Sequence, residues 1–145
     1  MPHSVCVLYA HLVFSTKNRQ SVINPAWKND LYSYIGAIIK NLQGEPIQIN
    51  GTLDHIHILC NLPKEMDVST FLRNIKANSS KWIHTKHNAA FHWQEGYGAF
   101  SVGISNLEHV KSYILNQEEH HKDRDFTAEY NALLRACGIR PFGES

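Results

Sequence analysis

The sequence is organised around Thr52-Leu53-Asp54-His55-Ile56-His57-Ile58-Leu59-Cys60, an apolar run in which two histidines flank one isoleucine. Its length and composition predict a β-strand. Because alternate side chains of a strand point to the same face, His55 and His57 would lie roughly 6–7 Å apart on one face, while Ile56 and Ile58 would enter the opposite layer. Paired imidazoles at this spacing favour a metal site. The alternative is that both histidines are structural residues of a half-buried strand, with their ring nitrogens hydrogen-bonded to protein groups.

A second stretch with polar groups is Tyr113-Ile114-Leu115-Asn116-Gln117. On a helix, Tyr113, Gln117 and His120 share one face, because positions four and seven residues on return to nearly the same azimuth. The amide oxygen of Gln117 is an acceptable ligand for a hard cation such as Mg²⁺ or Mn²⁺, and His120 could compete with it. An ordinary solvent-facing residue is the alternative for Gln117.

Tyr113 falls on the flank of the predicted buried stripe of this helix, about 100° round from the stripe's centre. A phenol beside a cation that polarises a phosphate can attack phosphorus and hold a nucleic acid chain covalently. Core packing is the alternative, since most tyrosines simply pack or form a hydrogen bond. The residue pattern alone leaves both roles open.

The length of 145 residues predicts a single domain, residues 1–145, with a sizeable core. Hydrophobic residues make up 43% and charged residues 19%, which argues against disorder, and no apolar run approaches the ~20 residues of a membrane span. No export signal opens the chain, so a cytoplasmic location is expected. Cys6, Cys60 and Cys137 are widely spaced in apolar contexts, which predicts buried reduced thiols.

The net charge of +1 neither supports nor excludes nucleic acid, but the basic residues are unevenly placed. Residues 64–87 carry five lysines or arginines against two acids. Such a region is either a solvated helix face or a surface for phosphates. Trp82 lies in it, and Trp93 and Tyr97 lie in an aromatic and glycine-rich stretch further on; each could stack on a base or pack in the core.

The predicted elements alternate in type along the chain. Strands are expected at residues 5–14, 46–53, 55–62 and 96–104, the middle two joined near Leu53-Asp54 or by a turn at Gly51. Helices are expected from Asn24-Pro25 to Gly44, from the cap Asp67 to about His87, at roughly 106–119 and from about Phe126 to Cys137. Ser105 and Glu108 would form a capping box for the third helix. This order predicts an α+β fold of the split βαβ, ferredoxin-like or RRM-like kind, with four antiparallel strands, helices on one face and an open face for a ligand or a further helix.

Five segments, taken in order, resemble the HUH single-tyrosine transposases of the insertion-sequence 200/605 kind. They span nearly the whole chain: His11–Arg19, Asp54–Leu59, Lys76–Ile83, Trp93–Val102 and Tyr113–Gln117. The resemblance implies a metal-dependent single-stranded DNA transposase, which cuts and rejoins hairpin-bearing transposon ends through a 5′-phosphotyrosine intermediate. Its cofactor would be Mg²⁺ or Mn²⁺.

Carried over by position, the resemblance makes His55, His57 and Gln117 the metal ligands and Tyr113 the nucleophile. It also implies a homodimer in which the tyrosine helix of one subunit completes the site of the other. The expected DNA contacts come from basic and aromatic side chains: Lys17, Arg19, Arg73, Lys76, Lys81, Trp82, Trp93 and Tyr97.

Two other readings remain open from the sequence. A non-catalytic or domesticated single-strand binding protein could use the same open sheet, although the presence of Tyr113 beside the histidine pair argues against it. A structural metal protein would leave Tyr113 inert and the basic helix without a use.

Overall fold

The computed structural model describes residues 3–117 and 125–141. It contains four strands, β1 (Tyr9–Ser15), β2 (Glu45–Gly51), β3 (His55–Asn61) and β4 (Gly98–Val102). They form one antiparallel sheet in the order β2-β3-β1-β4, with the strand that carries the histidine pair in a central position. The predicted split βαβ fold is therefore confirmed.

Helices cover both faces of this sheet. α1 (Lys28–Asn41) and α2 (Val68–Lys86) pack on the face formed by Leu12, Ile56 and Ile58, and together they enclose the main hydrophobic core. α3 (Leu107–Leu115) packs on β2 and β3, and α4 (Phe126–Ala136) reaches the histidine face, where Glu129 contacts His57. The face that was predicted to be open to a ligand or further helix is thus partly covered by the last two helices.

The first strand is shorter than predicted at its start. Residues 5–8 are apolar in sequence, yet Val5 and Leu8 are 76% and 57% exposed. The pairing of β1 with both neighbours begins at Tyr9, opposite Asn61 on one side and Val102 on the other. Ladder partners on both sides, rather than residue type alone, therefore define where this strand begins.

Two helix starts also differ from the prediction. At Asn24-Pro25 the chain first makes a turn, in which the Asn24 side chain accepts a hydrogen bond from the Ala26 amide (2.8 Å), and α1 begins only at Lys28. The capping box at the start of α3 is wrong, because Ser105 lies in a short 3-10 turn and the helix has no side-chain cap. The predicted Asp67 cap of α2 is confirmed, with Thr70 N donating to its carboxylate at 2.9 Å.

The β2–β3 connection places the histidine pair. Gly51 ends β2, and a Cβ atom there would lie 2.2 Å from the His55 carbonyl oxygen, so only glycine allows the two strands to approach this closely. The turn at residues 52–54 follows, closed by a hydrogen bond from Thr52 N to the His55 carbonyl (3.1 Å). His55 is consequently the first residue of β3, at one end of the sheet.

Two predictions made from the composition concern the cysteines and the possibility of a membrane span. The three cysteines are free thiols, but only Cys60 is buried; Cys6 is half-buried and Cys137 is exposed, so the expectation of burial is wrong for Cys137. Within residues 3–117 and 125–141, none of the helices has the length and apolar character needed to cross a membrane.

Candidate active site

The histidine pair lies where the strand alternation predicts. His55 and His57 are both completely buried on the face opposite Ile56 and Ile58, and their ring centroids are 5.1 Å apart. The neighbouring strand β1 supplies Val13 opposite His57 in the ladder. Both imidazoles turn their Nε2 atoms toward α4.

Glu129 of α4 joins the two histidines. One carboxylate oxygen, Oε1, lies 2.9 Å from His57 Nε2 and 3.3 Å from His55 Nε2. The ligand atoms of the three residues all lie within 4.8 Å of one another, and all three side chains are buried, so the group can hold a metal ion. The sequence-based reading did not include Glu129.

The Nδ1 atoms of both imidazoles also have hydrogen-bond partners. His55 Nδ1 lies 2.7 Å from an Asp54 carboxylate oxygen, which in turn accepts a hydrogen bond from Thr52 (3.0 Å). His57 Nδ1 lies 2.7 Å from Nε2 of His11, a buried residue of β1. When Asp54 and His11 each accept a hydrogen bond from Nδ1, a cation can replace the proton on both Nε2 atoms and bind their lone pairs, which is how outer partners orient metal-binding histidines.

The pKa values of this cluster follow from burial and hydrogen bonding. Burial alone would raise the pKa of Glu129, but hydrogen bonds from His55, His57 and Tyr113 and the charge of His57 outweigh it and hold the pKa well below its ordinary value. Burial works against the charged form of His55 too, yet the bonds to Asp54 and Glu129 raise its pKa. Burial beside His57 lowers the pKa of His11 to about 3, so His11 is neutral.

Gln117 is close to the same centre. Its Oε1 atom lies 3.4 Å from His55 Nε2, its side chain is fully buried, and its Nε2 atom reaches the Tyr113 carbonyl at 3.5 Å. The alternative of a solvent-facing residue is therefore wrong for Gln117. His120, the competing candidate, lies outside the described residues.

Tyr113 also reaches this cluster. Its hydroxyl donates a hydrogen bond to Glu129 Oε2, the second oxygen of the same carboxylate. Its ring lies 6.0 Å from the His57 ring and 6.3 Å from the His11 ring, both edge to face. The side chain is only half-buried, which agrees with its predicted place on the flank of α3.

All these contacts are made within one chain. Asn50 of β2 donates from its side chain to the carbonyls of Ile114 and Leu115 (2.9 and 3.1 Å), which ties the end of α3 to the sheet. Tyr113 is thereby held against the histidines of its own chain. The arrangement implied by the resemblance, in which the tyrosine helix of one subunit completes the site of the other, concerns two chains and stays a prediction.

Part of the predicted DNA-contacting set lines a groove between α2 and residues 92–97. The groove has a volume of about 690 Å³ and includes Arg73, Lys76, Trp93 and Tyr97 in its walls. Lys76 donates to the carbonyls of Gln94 (2.6 Å) and Gly96 (3.0 Å), so it also fixes the opposite wall. Trp93 is half-buried against Phe14 and donates to Ser79 (3.0 Å), whereas Tyr97 is 40% exposed.

The other members of the set lie elsewhere. Trp82 packs against Tyr34, with ring centroids 5.6 Å apart, in the layer of α1 and α2, on the side of the sheet opposite the histidines. Lys81 is exposed on α2 outside the groove lining. Lys17 and Arg19 follow the end of β1, and Arg19 donates to Thr127 of α4.

A split βαβ sheet with a buried HUH pair beside a helical tyrosine defines the class of single-tyrosine HUH proteins. The family model of IS200-like transposases matches residues 4–117, and the chain belongs to this family. Transposases for insertion sequence element IS200 from Salmonella typhimurium strain LT2 and from Salmonella typhi are each 28% identical to it over 123 residues, with 77% of this chain and 78% of each relative covered.

Solved structures have the same fold. A REP-associated tyrosine transposase bound to a REP hairpin has a TM-score of 0.63 and 18% identity, with 99% of this chain and 88% of that chain covered. A candidate transposase from Deinococcus radiodurans R1 has a TM-score of 0.62 and 21% identity, with 79% and 93% covered. At these identities the likeness is one of fold.

Proposed function

We propose that this protein, as one HUH domain over residues 1–145, is a metal-dependent DNA strand transferase that cleaves and rejoins single-stranded transposon ends through a 5′-phosphotyrosine intermediate. One observation carries the proposal: the Tyr113 hydroxyl and the Nε2 atoms of His55 and His57 meet on a single buried carboxylate, that of Glu129. The candidate nucleophile and the candidate metal site therefore share the Glu129 carboxylate. Membership of the IS200-like family supports the choice of DNA as substrate.

The covalent step is a substitution at phosphorus. The Tyr113 oxygen forms a bond to phosphorus, and the bond from phosphorus to the 3′ oxygen of the preceding nucleotide breaks. The phenol gives up its proton to solvent and the departing 3′ oxygen takes up a proton from solvent, so the step involves no net change in protons. Glu129 accepts the hydrogen bond of the phenol and so orients its oxygen.

The donor atoms fit a divalent cation. Two imidazole nitrogens, a carboxylate oxygen and the amide oxygen of Gln117 surround one buried point, and oxygen donors favour Mg²⁺ or Mn²⁺ while tolerating imidazole. When bound there, such an ion would polarise a phosphoryl oxygen and offset the charge that develops on it. Glu129 and Gln117 are both candidates for the ligand that completes the histidine pair.

A direct experiment tests the proposal. The purified protein is incubated with single-stranded ends of its own element, including their hairpins, in the presence of Mg²⁺ or Mn²⁺. A protein band shifted by covalently attached DNA is expected on a denaturing gel, and its loss in EDTA would show the metal requirement. Protein that binds the ends yet never forms the adduct would instead favour the non-catalytic binding reading.

His11 is expected to control metal affinity without touching the metal. Replacing His11 with leucine removes the partner of His57 Nδ1, which frees the ring to rotate and to protonate on Nε2. Loss of such an outer partner typically costs about 10- to 100-fold in affinity. His11→Gln offers an amide oxygen as acceptor and should recover most of it, as measured by Mn²⁺ titration calorimetry. Equal affinities for the leucine variant and the parent would contradict this role.

The groove is proposed as a path for the DNA backbone. Arg73 is exposed in its wall, and Lys40 offers a control because it is an exposed lysine of α1 outside the groove and outside the expected DNA-contacting set. Arg73→Ala should reduce the salt dependence of single-strand binding by about 0.7 in the logarithmic slope, the value for one lost phosphate contact. Lys40→Ala should leave the slope unchanged. The reverse result would place the backbone along a different face.

A homodimer that binds hairpin ends is the proposed assembly. The solved relative bound to a REP hairpin supports a folded DNA end as partner. Since each chain holds its own histidines and tyrosine together, a dimer would bring two complete sites side by side rather than exchange helices. Light scattering of the protein with and without hairpin DNA measures the stoichiometry.

A further inference from the structure

A second cavity lies next to the histidine and glutamate cluster. It has a volume of about 280 Å³ and is lined by the end of β1, by residues 95–97 and by two aromatic residues of α4: Val13, Phe14, Ser15, Phe126 and Tyr130. Ligand pockets typically hold about 300–1,000 Å³, so this one is suited to a single small planar group. None of the residues given a catalytic or metal-binding role above belongs to its lining.

The aromatic walls are positioned by α4 and by one glycine. The Phe126 ring lies 4.5 Å from the His55 ring and 5.6 Å from the Tyr130 ring, so it separates the cavity from the metal-binding cluster. A Cβ atom on Gly98 would approach the Tyr130 ring to 2.8 Å, which shows that the tyrosine rests directly on the β4 backbone. The Tyr130 hydroxyl reaches the Tyr97 carbonyl at 3.4 Å.

The cavity and the groove share a wall. Glu95, Gly96 and Tyr97 line both, and Lys76 holds this wall by binding the Gly96 carbonyl. A strand whose backbone follows the groove and whose phosphate reaches the histidine cluster must therefore pass the mouth of the cavity. Aromatic rings in such a position stack on unpaired bases, whose π faces they match.

We infer that this cavity binds one unpaired base of the DNA strand, that of a nucleotide directly flanking the phosphate attacked by Tyr113. The inference rests on the proposed function and adds a specific subsite to it. The base would stack on Tyr130 and Phe126, while Ser15 and the Glu95 carboxylate offer polar atoms at the lining for its edge. Neither Tyr130 nor Phe126 takes part in the bond exchange.

The experiment uses the full chain with the Tyr113→Phe substitution, so that bound DNA is not cut, and single-stranded ends whose cleavage position has been mapped with the parent protein. One base at a time is removed around that position. Stacking of a base contributes about 5- to 150-fold in affinity. We expect one abasic position next to the cleaved phosphate to weaken binding by this factor, and Tyr130→Leu to weaken binding of the intact strand by a similar factor without further weakening the abasic one.

A matched control is Tyr34→Leu, which removes a partly exposed ring from the opposite layer and should act on neither strand. A measurement without any cavity variant is the fluorescence of 2-aminopurine placed at the same position, which stacking should quench. Equal effects of Tyr130→Leu on intact and abasic strands, or 2-aminopurine that stays bright at every flanking position, would overturn the inference. Absence of any adduct with the parent protein would instead overturn the proposed function.

Discussion

The Tyr113→Phe variant is expected to bind single-stranded ends as the parent does and to form no covalent adduct. The substitution removes the attacking oxygen and its hydrogen bond to Glu129, while the ring and its edge-to-face contacts with His57 and His11 stay. The loss should therefore be complete on a denaturing gel with labelled DNA. Tyr34→Phe, far from the histidines on the other layer, should form the adduct normally. Cleavage by the Tyr113 variant would reveal a different nucleophile.

The same variant decides which subunit supplies the tyrosine. Because Tyr113 contacts Glu129, and Glu129 contacts the histidines of the same chain, heterodimers of Tyr113→Phe with His57→Ala should recover no activity. Exchange of tyrosine helices between subunits would instead give one intact site in each mixed dimer. Random pairing would then restore roughly a quarter of the parental sites, with the adduct on the His57→Ala chain. Recovery at that level would assign Tyr113 to the partner's site, as the family resemblance implies.

Glu129→Gln is expected to produce the second large effect, a fall in Mn²⁺ affinity of at least about 100-fold. The substitution keeps the size of the side chain but removes the one carboxylate among the candidate ligands His55, His57 and Glu129, and the charge count of the ligands sets the affinity for hard cations. This exceeds the effect expected from an outer partner such as His11. Titration calorimetry with Mn²⁺ measures it, and adduct formation should fall in parallel.

The Gln117→Ala variant tests whether Glu129 or Gln117 is the main third protein ligand beside the two histidines. If Glu129 is the main third ligand, removing the Gln117 amide should reduce Mn²⁺ affinity much less than Glu129→Gln does, because a neutral oxygen contributes less to binding than a carboxylate. The opposite order would assign the dominant role to Gln117, as the family resemblance implied. Circular dichroism of both variants verifies that the buried cluster tolerates each change.

Local patterns account for much of the fold. The alternation along residues 55–59 placed the two histidines on one face and the isoleucines in the core, and helical spacing together with the Asp67 cap defined α2. The predictions that were wrong concern features that depend on residues distant in the sequence. Residues 5–8 are as apolar as the strand that follows, but no strand in the described part of the chain pairs with them. A 3-10 turn occupies the place of the predicted capping box of α3.

The candidate site was predictable only in part, for a similar reason. The histidine pair and Tyr113 carry local signals, whereas Glu129 lies 72 residues from His57 and joins it only through the packing of α4 on the sheet. One signal was present: Glu129 is three residues after Phe126 and four before Leu133, so a carboxylate interrupts the apolar face of the last helix. A charge in that position needs a buried partner.

The position of Glu129 along the chain has a consequence for how relatives are judged. The family match ends at residue 117, whereas the carboxylate that joins the histidines to the tyrosine comes from α4, beyond that boundary. A gene copy interrupted between the two would still encode the HUH pair, Tyr113 and the whole matched region, and it would still be recognised as a transposase. On the proposed chemistry its product would be inert. Active and decayed copies of such an element would then be told apart by a helix that lies outside the segment by which they are found.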